Sequence, residues 1–310
     1  SMYEGSARVP LGIAGPGVPR GGGSRAAVAL IDLAFPVTLA AAILREIVAG
    51  QNWRNLIVLG ILAVFSLGNG IFHWEAAQGL YAAQGFGLRL GLGAGLMMIA
   101  VIGGRIVPSF TRNWLVKRGP GRLPAAPMQR FDKLALMILI VALLLWVALP
   151  LARTTGAVLL LAGGMHLWRL ARWAGHRTLS EPLVTVLHAG YAFLPLGALA
   201  LGAELLMPGT LGMAAAQHLW MGGAIGLMTL AVMTRASLGH TGQPLSAGKA
   251  TVAIYAALVL AVLARTAAGV WPDMSMHLHA VAGTAWIAAF GGFALAYGRA
   301  LLTLPPAKRI

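Results

Sequence analysis

Eight histidines lie in or beside long apolar runs, where an imidazole is costly unless something holds it. Along the chain they fall into two groups. His73, His218, His277 and His279 lie toward one side of the membrane, and His166, His176, His188 and His240 toward the other. His218 and His240 are 22 residues apart, about 33 Å if helical throughout, so they cannot share a metal. If metals are held, the expectation is two sites, one per side.

The densest set of ligand types is Asp273-Met-Ser-Met-His-Leu-His279. Thioether and imidazole donors suit Cu(I), which makes Met274, Met276, His277 and His279 candidate metal ligands. Interfacial packing and headgroup hydrogen bonds are the alternative reading. In Phe72-His73-Trp-Glu75 a carboxylate follows a histidine. Glu75 is a candidate to orient His73 or relay its proton; an interfacial belt with Trp74 and Tyr81 is the alternative. His218 sits in Gln217-His-Leu-Trp-Met-Gly-Gly-Ala-Ile-Gly226, with Met221 on its helical face. The glycines there serve close helix packing or a flat ligand. His188, in Leu187-His-Ala-Gly-Tyr191, and His166 lie at similar depth and could face one another across an iron, or each could make an interhelical hydrogen bond. Asp32 and Glu204 are isolated acids. Arg105 and Arg235 lie near helix ends, where they snorkel or pair with a cofactor carboxylate.

These residues need an apolar scaffold. Of 310 residues, 58% are hydrophobic and 10% charged, against roughly 25% charged in a soluble domain. The composition predicts an all-α, polytopic transmembrane helix bundle. About nine spans of some 20 residues are expected: 26–49, 55–73, 86–108, 132–150, 155–173, 182–207, 213–234, 250–270 and 276–302. Residues 1–25 read as an irregular tail, and 26–310 as one transmembrane domain with a basic loop at 109–131. The net charge of +15 is spread over short patches between spans, which points to anionic lipid rather than nucleic acid. With the 109–131 loop placed in the cytoplasm, only Arg89, Arg153 and Arg265 outside the tail fall on the opposite side. That is a positive-inside bias with a cytoplasmic C-terminus. The chain has no cysteine, which excludes disulfides, thiolate metal sites and covalent c-type haem; any haem is held by His or Met. No phosphate loop or Gly-x-Ser-x-Gly nucleophile motif is present.

Three strings carry a family resemblance: Ile102-Gly-Gly-Arg-Ile-Val-Pro-Ser-Phe-Thr-Arg-Asn113; Glu181-Pro-Leu-Val with Leu187-His-Ala-Gly-Tyr191 and Leu194-Pro-Leu-Gly197; and Gly223-Ala-Ile-Gly-Leu-Met-Thr-Leu-Ala-Val-Met-Thr-Arg-Ala-Ser-Leu-Gly-His-Thr-Gly242. They resemble the NnrS family of bacterial membrane proteins, from about residue 55 onward. The resemblance implies an inner-membrane protein with haem b and copper, linked to nitric oxide and nitrosative stress. It puts His73, His188, His218 and His240 inside matching strings. It also implies about twelve helices, so that helices preceding Ser1 are expected. The family's His-x-His-Glu-Met type of stretch has no counterpart here. Two further readings stand beside this one. One is a transporter or ion pathway using buried His, Asp32 and Glu204. The other is an assembly subunit that binds a partner membrane protein, or its own copies, through glycine-rich helices.

Overall fold

The computed structural model describes residues 22–302; the residues before Gly22, which hold most of the expected tail, and those after Leu302 lie outside the described residues. Nine long helices run through the described part. They are α1 (Gly22–Ala49), α2 (Leu56–Ala77), α3 (Phe86–Val116), α4 (Arg130–Ala148), α5 (Arg153–Ala171), α6 (Pro182–Leu206), α7 (Met213–His240), α8 (Lys249–Val270) and α9 (Ser275–Leu302). Eight are long and apolar enough to cross a membrane, and no strand is found among the described residues. The ninth, α5, is held back by His166 and Arg169, but both are fully buried, so its polarity faces protein and not lipid. The chain is a multi-pass helical membrane protein.

Successive helices pack as antiparallel hairpins, and glycines set the contacts. A Cβ on Gly68 would lie 2.4 Å from the backbone nitrogen of Gly91, and one on Gly87 would lie 2.3 Å from that of Phe72. Backbones of α2 and α3 therefore touch. In lipid such contact replaces the hydrophobic drive that water gives a soluble bundle. Gly156, Gly163 and Gly202 seat α5 on α6, and Gly190, Gly197 and Gly223 seat α6 on α7. Gly222 and Gly226 face Val262 and Trp286, so these two serve helix packing.

The alternation gives the bundle two ends. A near end carries the connections 78–85, 149–152, 207–212 and 271–274. A far end carries 50–55, 117–129, 172–181 and 241–248. Helices α3 and α6 are the most enclosed; α1 and α2 are peripheral.

Two helices differ from the sequence expectation. α3 continues through Pro108 to Val116, so the basic connection begins at Lys117 and not at Ser109. Proline removes one N–H donor, but the hydroxyls of Ser109 and Thr111 donate to Arg105 O (2.7 Å) and Val107 O (2.8 Å), and the next turns hold. α7 is π-helical over Leu219–Leu227. The wider turn takes Met221 off the face expected from a three-residue spacing, and its side chain is exposed.

Candidate functional site

The enclosed centre of the bundle holds a charged network. Arg169 of α5 is fully buried and donates through Nε to Asp132 Oδ1 of α4 at 3.0 Å. Its Nη1 donates to Ala100 O in the π-helical turn of α3 (3.0 Å) and to the Tyr191 hydroxyl of α6 (2.8 Å). Tyr191 passes its own proton to His166 Nδ1 (2.8 Å), and His166 Nε2–H donates to Ala135 O (3.2 Å). Trp173 lies under the guanidinium at 5.3 Å. A Cβ on Gly104 would stand 2.1 Å from Arg169 Nη2, so this glycine makes room for the cation. Both nitrogens of His166 are therefore engaged, and it does not face His188 as an opposed pair of ligands.

His188 is buried on α6 toward the far end. Thr111 spends its one proton on Val107 O, so His188 Nε2 carries the proton of the 2.7 Å bond between them. Nδ1 is then the unprotonated nitrogen. It is turned toward Gly175, where a Cβ would stand 2.6 Å away. One ring nitrogen held by a hydrogen-bonded neighbour and the other left as a lone pair is the arrangement of an orientable ligand. Arg235 of α7 covers the ring of Phe110, next to Thr111, at 4.1 Å. Exposed His176 lies within electrostatic reach of His188.

At the near end, His218 Nε2 accepts a proton from Arg265 Nε of α8 at 2.9 Å. His279 of α9 lies within electrostatic reach of both. Arg265 is half-buried. Sequence reasoning counted it only as a charge on that side, because nothing local ties it to a histidine 47 residues earlier.

His73 does acquire a carboxylate, but from another helix. Asp32 Oδ2 of α1 is 2.9 Å from His73 Nε2 and 3.0 Å from Asn69 Nδ2. Glu75, expected beside His73, instead accepts the backbone N–H groups of Phe86 (2.8 Å) and Gly87 (3.1 Å). It caps α3, whose first N–H groups have no intrahelical partner. Glu204 is likewise committed: it accepts from Gly209 N, Thr210 Oγ1, Leu211 N and Gly212 N, all at 2.9–3.0 Å, and ties down the 207–212 connection. Met274, Met276, His277 and His240 are exposed. No group of three or more His, Cys, Asp or Glu side chains suited to a metal occurs among the described residues.

The structure thus defines a polytopic helical membrane protein with an ion-paired core and separate histidine sites toward its two ends. A family model described as NnrS protein matches residues 6–304, nearly the whole chain. The chain belongs to the NnrS family. No curated protein and no solved structure matches it.

Proposed function

We propose that this protein is a haem-binding protein of the bacterial inner membrane, with its far end and C-terminus in the cytoplasm, that binds nitric oxide and protects the cell from it. The observation that carries the reading is His188: a buried imidazole whose Nε2–H is fixed by Thr111, leaving an unprotonated Nδ1 against the backbone of Gly175. A single imidazole suffices as a protein ligand to haem iron. Thr111 would fix the ring, and Arg235, at the same end, would receive a propionate. The haem iron supplies the nitric oxide ligand site when bound. A groove of about 270 Å³ between α2, α3 and α4, lined by Gly60, Val64, Gly93, Ala94, Leu143 and Leu144, is wholly apolar and could hold a small apolar gas.

Copper is proposed on the family resemblance. Its donors do not converge: His218 Nε2 is covered by Arg265, and Met274 and Met276 are exposed. No step is assigned to it. The test is haem and metal analysis of protein purified from haem-replete cells. A Soret band retained in His218→Ala and lost in His188→Ala supports the reading, and a colourless wild type overturns it.

A further inference from the structure

The near-end site has a charge with no counterpart. Three of the other arginines held within the spans have an acid in electrostatic reach: Arg169 has Asp132, Arg89 has Glu75, and Arg235 has Glu181 together with the Phe110 ring. Arg265 has none among the described residues. Its Nε is spent on a neutral imidazole, its two Nη groups make no hydrogen bond among the described residues, and its other close titratable neighbour is His279. A half-buried guanidinium within a membrane helix is costly unless an anion meets it. The side chains identified beside it are the two imidazoles of His218 and His279. Arg265 lies five residues before the end of α8 and His279 four residues after the start of α9, so the site opens at the near end of the bundle.

We propose that Arg265, with His279, forms an anion site at the near end that takes an oxyanion through the two free Nη groups of the guanidinium. A planar fork of N–H donors matches a carboxylate or phosphate group edge-on. Imidazole N–H groups add donors, and His218 holds the guanidinium by its Nε, leaving the outer edge for the ligand. The oxyanion comes either free from solution or as the phosphate of a lipid headgroup. This site goes beyond the haem reading and stands without it.

The experiment uses the purified full chain. In neutral detergent, inorganic phosphate and formate are titrated against chloride at equal ionic strength, and thermal unfolding is followed by tryptophan fluorescence. In parallel, nanodiscs of phosphatidylcholine with and without phosphatidylglycerol are compared. Stabilisation by the small anions identifies a free oxyanion; stabilisation only by phosphatidylglycerol identifies a headgroup. Arg265→Gln should weaken the responding ligand roughly ten- to hundredfold, the size of a lost charged hydrogen bond. Exposed His279→Gln should weaken it less and fold normally, so it carries the test if Arg265→Gln does not fold. No response in either arm, or an undiminished response in His279→Gln or a folded Arg265→Gln, overturns the proposal. The Soret band of the same preparations reports the haem reading separately.

Discussion

Replacing Asp132 by Asn leaves a fully buried guanidinium with neutral partners only. Breaking one side of a buried ion pair costs about 3–5 kcal/mol, because the remaining charge keeps its desolvation penalty. Asp132 also closes the first turn of α4 by accepting from Gln129 N at 2.9 Å. Loss of that cap adds about 1 kcal/mol in Asp132→Leu. Large domains move by about 2 °C per kcal/mol, so Asp132→Asn should lower the midpoint by about 6–10 °C. The chain has no cysteine for thiol dyes but has nine tryptophans. One of these, Trp173, lies against Arg169 itself and reports the site in a fluorescence-monitored melt. The pair Asp132→Leu with Arg169→Met removes both charges and should recover at least half of the loss. An unchanged midpoint in Asp132→Asn, or a double variant worse than both singles, would refute the account of this core.

Other substitutions test other parts of the structure. Gly87→Ala puts a methyl group into the backbone of α2 and should cost about 1–3 kcal/mol, read as a lower melting temperature. Glu204→Ala removes the acceptor of four donors in the 207–212 connection; about 2 kcal/mol and faster proteolysis of that connection are expected. Thr111→Val strands His188 Nε2–H at a cost of about 1–3 kcal/mol. It should also lower haem retention, while Thr111→Ser restores it.

The spans were legible because lipid demands long apolar runs, and the sequence supplies eight of them plus a ninth broken by His166 and Arg169. What spoils the reading at their ends is side-chain repair: Ser109 and Thr111 carry α3 past a proline that reads as a stop. The central network left a weaker trace. Asp132 looks like a helix cap, which it also is, and Arg169 like a cation snorkelling from the end of α5. A hint was available in His166 and Arg169, three residues apart and so on one face of a helix. The pairing of Asp32 with His73, and of Arg265 with His218, joins residues 41 and 47 positions apart, and no local spacing encodes it. Glu75 misled for the same reason. Its neighbour in sequence is His73, whereas its neighbours in space are the N–H groups that open α3. His188 was legible in type and in its matching string, but its orientation depends on Thr111, 77 residues away.

The most direct test of the functional account is the optical response of the reduced, purified protein to nitric oxide. The account predicts a Soret band that shifts on adding the gas, is absent in His188→Ala, and survives in His218→Ala. A band that persists unshifted, or one that His188→Ala leaves intact, would contradict it.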